Sequence, residues 1–597
     1  MIDIEKIRKN EGKIITVGSY SAIIQSILDF DYLSGKKTPT VSAIIATGRK
    51  FERYFWGKKE ILIPVYSSID LIPDSKKKNL TLFLNLTSAR RTLSSTKNLL
   101  ENIPSLLGGV IFAENVPEKH TIELYNLSQK TNKFIVGPAS VGMVIPNVLK
   151  LGAIGGIDAN QLVDSSLFTP GNIAVFSASG GMTGELIRIV AQNNKNISFS
   201  LSFGGDRFPI TSPKDAFIAA QNDPETKAIC YFGELGGIDE YELADLIKTK
   251  KVTKPIYCFI AGTISEIFET PPQFGHAKAM AKNKNESAKE KKEALKDAGA
   301  IVTDTFSEFV GLIKAFPISE VKNDLNYSKM QVDMENRKQA LIATTISSDE
   351  DGQVKILGED LLSFARNNSF AFIAGSLFLG KKLKSRELSE FIDFTLRLLV
   401  DHGPYVSGAV NTIIASRAGK DLVSSLSSGL LTIGPRFGGA INQAAQNWLI
   451  GVSENKNPAE FVEEFAKQKI YISGIGHKKY SLDMPDKRVV EILKFSEKLS
   501  EKKFTSFAKN VEKITTGKKA NLILNIDGAI AAVLLDILSE KEGYSKSQLQ
   551  ELIDSEFFNA IFVLSRSVGF IAHFLDQKRL DEGLFRLDED MVASVEK

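Results

Sequence analysis

Between about residue 13 and residue 150, short β-branched or apolar runs alternate with helical patterns, and this alternation limits the fold more than any other feature. The runs are Ile14-Ile15-Thr16-Val17, Ile61-Leu62-Ile63-Pro64-Val65, Leu82-Phe83-Leu84-Asn85, Val110-Ile111-Phe112-Ala113 and Phe134-Ile135-Val136-Gly137. Strands separated by helix-length spacers pair in parallel, and ligands gather at their carboxyl ends. A second pattern of the same kind runs from about 151 to 325. The stretch from about 320 to 350, with Asn323-Asp324-Leu325-Asn326 and Ser347-Ser348-Asp349-Glu350-Asp351-Gly352, breaks both patterns and reads as a boundary. Beyond it strand signals almost vanish, and amphipathic or wholly apolar helices broken by glycine turns take over. The expected fold class is α/β followed by all-α, with domains at 1–150, 151–325 and 350–597 and a linker at 326–349.

A chain of 597 residues, 43% hydrophobic and 24% charged, has room for two to four such domains. Its formal charge of +3 is small, and no Lys/Arg stretch interleaves with aromatics, so nucleic acid is not an expected partner. The two cysteines, Cys230 and Cys258, sit in apolar strand-like runs and support neither a disulfide framework nor a cysteine-based zinc site. The first residues lack a signal-peptide core, and no charge-free run approaches the roughly 20 residues that span a bilayer. The expected location is the cytoplasm.

The carboxyl ends of the predicted strands are polar. Gly18-Ser19-Tyr20 follows the first without the full Gly-x-Gly-x-x-Gly fingerprint, so no nicotinamide cofactor is indicated. Ser88, Arg90 and Glu114 follow others, and each singly is equally a helix cap. In the second block, Ser177-Ala178-Ser179-Gly180-Gly181 follows the strand-like Asn172–Phe176 and opens a helical pattern. Free N–H groups of Gly180 and Gly181, with the hydroxyls of Ser177 and Ser179, make a phosphate cradle there. Glu234 ends a strand beside Gly236-Gly237, and the loop Pro271-Pro272-Gln273-Phe274-Gly275-His276-Ala277 presents an unshielded imidazole at an expected helix start. A lone loop histidine is also compatible with a solvated polar residue; with the cradle, His276 reads as a phosphorylated nucleophile that Glu234 orients. The lysine-rich block Lys282–Lys296 reads as a solvated helix face without chemistry.

In the helical block, Asp401-His402-Gly403-Pro404, Gly474-Ile475-Gly476-His477, Asn525-Ile526-Asp527-Gly528 and Ser565-Arg566-Ser567 stand out, with arginines at 488, 566 and 586. They read either as a site that holds a polycarboxylate and moves protons beside it, or as separate helix caps and surface arginines. No His-x-x-His or Glu-x-x-His spacing supports a metal site.

Longer strings make the pattern specific. Gln25–Tyr32, Gln273-Phe274-Gly275-His276, Arg417–Ser425, Ser428–Gly434 and Leu575-Asp576-Gln577-Lys578-Arg579 together resemble the ATP-citrate lyase family over nearly the whole chain. The resemblance implies a Rossmann-like CoA-binding domain, a flavodoxin-like ligase domain similar to the α subunit of succinyl-CoA synthetase, and a citrate synthase-like lyase domain. It implies that His276 is the phosphohistidine, that Glu234 supports it, and that Glu114 acts in the same half. Ser88, Arg90 and Lys519 match CoA contacts, and His402, His477 and Asp527 match the catalytic group of the lyase half. Arg488, Arg566 and Arg586 match carboxylate-binding arginines, Arg586 acting from a neighbouring subunit. The implied reaction is cleavage of citrate with ATP and CoA to acetyl-CoA, oxaloacetate, ADP and phosphate. The implied cofactors are CoA and ATP with Mg²⁺, the nucleotide held mainly by an ATP-grasp β-type partner subunit in an α4β4 assembly. Ala178 and Lys478 each replace an arginine usual in the family, and Phe437 stands where citrate synthase carries its enolising histidine. A citrate synthase fused to a CoA-ligase remnant and a non-catalytic CoA-binding scaffold are the alternatives.

Overall fold

The computed structural model describes the chain apart from residues 1, 11, 269–271, 274, 277, 278, 317–327, 351, 435, 436 and 597. Pro271, Phe274 and Ala277 of the histidine loop, the string Asn323–Asn326 and Asp351 therefore lie outside the described residues. The chain divides into two compact units, Met1–Leu341 and Ile342–Lys597.

The first unit is built on two seven-stranded sheets. One contains β1 (Lys13–Val17), β2 (Val41–Ile45), β3 (Phe51–Trp56), β4 (Lys59–Tyr66), β5 (Leu80–Asn85), β6 (Gly108–Ile111) and β7 (Phe134–Val136) in the order β3-β4-β2-β1-β5-β6-β7. All its pairings are parallel except β3 with β4. After β1 the chain goes to one side and later returns to the other at β5, so the crevice beyond the ends of β1 and β5 is the switch point where such sheets bind ligands. Gly18 makes that crevice possible: its φ is +81°, and a Cβ there would lie 3.0 Å from the Leu86 carbonyl oxygen.

The second sheet contains β8 (Gly142–Ile145), β9 (Leu149–Gly152), β10 (Ile173–Ser177), β11 (Ile197–Ser202), β12 (Ala228–Glu234), β13 (Ile256–Ala261) and β14 (Ile301–Val302) in the order β14-β13-β12-β10-β11-β8-β9. Strands β10 to β14 are parallel, whereas β8 and β9 form a hairpin that pairs antiparallel with β11. On sequence that hairpin falls largely in the first block, which was expected to end at 150; its pairing puts it with the second sheet. Every residue of β10 and β11 is buried, so these strands read as continuous apolar or small-residue runs without alternation. Cys230 and Cys258 lie buried and unbridged on the neighbouring β12 and β13.

The second unit opens with a small antiparallel sheet, β15 (Ser347–Glu350), β16 (Gln353–Ile356) and β17 (Glu359–Asp360), where only helices were expected. Helices follow, around a core that includes Trp448, Ile530, Leu534 and Phe558. Its longest helix, Phe557–Leu580, has 24 residues and is long and apolar enough to cross a membrane by length and composition alone, although Arg566 keeps it from being a charge-free run. Phe557, Phe558, Ile561, Phe562, Phe570 and Phe574 on it are buried within the unit, as in the core helix of a globular domain.

Candidate functional site

Loops from both sheets of the first unit converge on His276. Strand β12 ends at Glu234, and the chain turns away through Gly236 and Gly237 with φ of +88° and +64°. The Glu234 carboxylate oxygens lie 3.0 and 2.9 Å from Nδ1 of His276. A carboxylate only accepts, so Nδ1 carries the proton and Nε2 keeps its lone pair. The Glu234 hydrogen bond, opposed by burial and assisted by the charges of Glu234 and exposed Glu114, holds the imidazole above its ordinary pKa of 6.5. On the other side of the ring, a Cβ on Gly205 would come within 2.7 Å of the imidazole Cδ2, so only glycine leaves the ring its place. His276 is not at a helix start as expected: the next α-helix, Ala288–Ala298, begins twelve residues later, after a short 3₁₀ turn.

The helix Gly180–Gln192 starts as the cradle requires. Ser179 is its N-cap and accepts from the Met182 N–H, while the Thr183 N–H bonds the Ser179 carbonyl. Buried Ser177 accepts from the Ser179 N–H at 3.1 Å. The N–H groups of Gly180 and Gly181 remain at the open end. They line a cavity of about 390 Å³ with Gly155, Gly156 and Arg188, and its described walls include neither His276 nor Glu234. Cradle and histidine share the carboxyl edge of one sheet, and Ala178, beside the cradle, borders a small cavity with Glu234.

Ser88 and Arg90 are exposed at the start of the helix Ala89–Asn102, directly beyond β5 and thus at the switch-point crevice. Lys519, exposed at the C-cap of the helix Lys503–Lys518, belongs to the second unit.

The lysine-rich block departs from its expected solvated character at two positions. Lys291 and Lys292 are buried, and Lys291 Nζ donates to the carbonyl oxygens of Glu234 and Gly236 at 2.9 and 2.6 Å. It also pairs with buried Glu240 at 2.6 Å. On the helix both lysines share a face with buried Ala288 and Leu295, three or four residues away, which the reading of a wholly solvated face passed over.

In the second unit the helix Lys487–Glu497 begins at Asp486, whose carboxylate accepts from the Arg488 backbone N–H and binds its guanidinium in a fork, with Nη2 at 2.7 Å. Arg488 Nη1 lies 3.1 Å from Nδ1 of His402. Since arginine only donates, His402 accepts at Nδ1 and presents Nε2–H. His477 is held alike, its Nδ1 accepting from the backbone N–H groups of Lys479 and Tyr480 at 3.0 and 3.1 Å. Burial first keeps both rings below the usual histidine pKa, and Arg488 adds to the effect on each. The strand-like segment carrying His477 is tied to Asp527's helix, for Asn525 caps that helix and donates to the Gly476 carbonyl. Desolvation pushes the Asp527 carboxyl up to about 6 against the pull of Arg488 and Arg566.

Arg566 lies midway along Phe557–Leu580 and is 4% exposed, so it is not one of the surface arginines of the alternative reading. Its Nε and Nη1 have no hydrogen-bond partner among the described residues, and its guanidinium lies over the Phe562 ring. Buried donors left open in this way form a receptor for an anion. Phe437 packs edge-on against the same Phe562. Its neighbours Pro435 and Arg436 lie outside the described residues. Two residues that the sequence did not single out complete the set: Asp486, and His573, whose Nε2 lies 3.1 Å from Asp401 beside His402. Arg586 is exposed and makes no hydrogen bond or ion pair with the described residues.

A family model described as citrate synthase, C-terminal domain, matches residues 229–587. The ATP-citrate synthase beta chain protein 1 of Oryza sativa subsp. japonica is 38% identical over 579 residues, covering 94% of this chain and 95% of that protein. The probable ATP-citrate synthase of Caenorhabditis elegans is 37% identical over 98% of this chain, which spans only 55% of the worm protein. Among solved structures, the ATP citrate lyase of Methanothrix soehngenii in complex with citrate and coenzyme A is 34% identical, covers 98% of this chain and 97% of its own, and has a TM-score of 0.50.

Proposed function

The chain belongs to the ATP-citrate synthase, or ATP-citrate lyase, family, and from that premise we propose a division of labour between its two units. The first makes citryl-CoA by way of phosphate carried on His276, and the second cleaves it to acetyl-CoA and oxaloacetate. The observation that carries this reading is the Glu234 contact with Nδ1 of His276, which leaves Nε2 free to attack. Nε2 forms a bond to the γ-phosphorus of ATP, and the P–O bond to ADP breaks with its electron pair on ADP. Glu234 stabilises the positive charge that develops on the ring. A citrate carboxylate oxygen then takes the phosphoryl group and Nε2 regains its lone pair. The thiol of CoA, losing its proton, displaces phosphate from the acyl phosphate to give citryl-CoA. Ser88 and Arg90, at the crevice of the first sheet, are suited to the phosphates of CoA, and the N–H groups of Gly180 and Gly181 to an anionic phosphoryl group. ATP, with its Mg²⁺, is held mainly by an ATP-grasp partner chain in the cytoplasm.

Cleavage needs a base for the carbinol hydroxyl, donors for the thioester oxygen and cations for the carboxylates. Arg488 and Arg566 supply the cations. His402 and His477, both with Nδ1 occupied, offer Nε2–H as neutral donors to the oxygen on which enolate charge collects. That assignment leaves Asp527 as the proton carrier and narrows the earlier expectation that the histidines share the task. Ionised Asp527 accepts the hydroxyl proton, the C–C bond breaks with its electron pair on the enolate, and Asp527 returns the proton to the acetyl carbon. A carboxyl raised to about 6 is mostly ionised at neutral pH yet basic enough for the first transfer. With Phe437 in place of a histidine, an independent citrate synthase is the less favoured reading.

The test of ligation is acid-labile, base-stable labelling from γ-labelled ATP in the presence of the ATP-binding partner. His276→Ala should abolish the label; a fully labelled variant would put the nucleophile elsewhere.

A further inference from the structure

A buried ion pair sits directly beneath the Glu234 turn. Lys291 is 1% and Glu240 3% exposed, and their charged atoms are 2.6 Å apart. The other Glu240 oxygen accepts from the hydroxyl of Tyr231 at 2.8 Å, three residues before Glu234 on β12. Lys291 donates its hydrogen bonds to the backbone carbonyls of Glu234 and Gly236. An ammonium ion this deep is costly to bury, and an apolar pair of similar volume would stabilise the fold as well or better. What the pair does that an apolar pair does not is fix two carbonyls on either side of Leu235, and hence the direction in which the Glu234 carboxylate leaves the strand. The same turn is held by the buried Leu235 side chain, by the Leu235 N–H on the Ala261 carbonyl and by the Gly236 N–H on the Glu286 carbonyl, none of which bonds the Glu234 carbonyl.

We propose that Lys291, anchored by Glu240 and Tyr231, is a positioning residue for phosphohistidine formation, locking the Glu234 carboxylate onto Nδ1 so that only Nε2 of His276 is phosphorylated. The inference rests on the reading of His276 as the phosphorylated residue. It gives the lysine no contact with substrate. Its consequence is regiochemical: with the turn released, Glu234 no longer masks Nδ1, the ring loses its fixed tautomer, and both nitrogens become reactive.

The test uses the full chain and potassium phosphoramidate, a chemical phosphoryl donor for histidine that needs no partner protein. Isomers are read by ³¹P NMR and the site by mass spectrometry. Lys291→Met alone would strand Glu240 in the interior, so the decisive variant is Lys291→Met/Glu240→Gln. Tyr231→Phe, which keeps the ion pair, serves as a milder second perturbation, and Lys291→Arg as the conservative rescue. Citryl-CoA cleavage by the second unit should be unchanged throughout. In the wild type, the label should appear on Nε2 of His276. In the double variant it should form about tenfold more slowly or worse and as a mixture of Nδ1 and Nε2 isomers. Tyr231→Phe should give a smaller fraction of the Nδ1 isomer and Lys291→Arg almost none. Failure of the wild type to label at His276 would remove the phosphohistidine reading itself. Wild-type labelling with unchanged rate and isomer in the double variant and Tyr231→Phe would overturn the role of Lys291 alone.

Discussion

Arg488 donates to Nδ1 of His402 across 3.1 Å while Asp486 grips the same guanidinium from the other side. The contact settles a tautomer: His402 must be neutral with its proton on Nε2. Selective ¹⁵N labelling should show that form at pH 7.5, with titration below the ordinary 6.5 because burial, Arg488 and Arg566 all disfavour the cation. Arg488→Met should move the titration up. An imidazolium at pH 7 in the wild type would return His402 to the role of general acid.

A donor has weaker chemical demands than a base. His402→Gln, which keeps an N–H, should therefore retain more citryl-CoA cleavage than His402→Ala, which should lose on the order of 10²- to 10³-fold as for one oxyanion donor. Equal losses in the two variants would contradict the donor assignment.

The histidine of the first unit behaves oppositely. Its pKa lies above 6.5, led by the Glu234 hydrogen bond, and attack requires the neutral ring. Labelling of His276 should accordingly rise with pH through a point above 6.5. Glu234→Gln removes the charge that raises it, so the inflection should fall and the plateau rate should drop. An inflection that stays in place would mean that another group controls it.

Asp527 links function to stability. Its folded pKa, about 6, lies above the usual 3.8, so the fold favours the protonated form. Its contribution is fully present below pH 3.8 and is lost as pH rises through about 6. The difference corresponds to at most about 3 kcal/mol at neutral pH. Asp527→Asn cannot ionise and should be more stable than the wild type at pH 7.5, by about 1–3 kcal/mol in denaturant titrations of the second unit's transition. The gain should vanish near pH 4. A variant less stable at pH 7.5 would mean that the ionised carboxylate is stabilised where it sits.

Much of this was legible from side-chain pattern. All five quoted strand runs of the first block fall on β1, β4, β5, β6 and β7, because β-branched apolar runs of that length have few alternatives in a buried parallel sheet. Glu234 was legible because it ends such a run beside two glycines. The hairpin from Gly142 to Gly152 was harder to assign, since sheet membership depends on pairing and not on composition. β15 and β17 are polar, with Ser347 and Asp349 exposed, and the alternation Gln353-Val354-Lys355-Ile356 in β16 is only four residues long, too short to stand out beside the helical patterns that follow. Lys291 was missed for another reason: Ala288 and Leu295 mark its side of the helix, but that Glu240 and two carbonyls wait there for its ammonium depends on tertiary contact. The tautomers of His402 and His477 depend on which nitrogen meets a donor, which only three-dimensional contact decides.

The two chemistries can be separated in one measurement. The purified chain, without partner or ATP, is mixed with synthetic citryl-CoA, and acetyl-CoA and oxaloacetate are followed for the wild type, Asp527→Asn and His276→Ala. The wild type should cleave citryl-CoA while leaving citrate plus CoA untouched. Asp527→Asn should lose roughly two to four orders of magnitude, the scale of general acid–base catalysis, and His276→Ala should cleave at nearly the wild-type rate. A His276→Ala protein that is folded and yet unable to cleave citryl-CoA would contradict the assignment of ligation to the first unit and cleavage to the second.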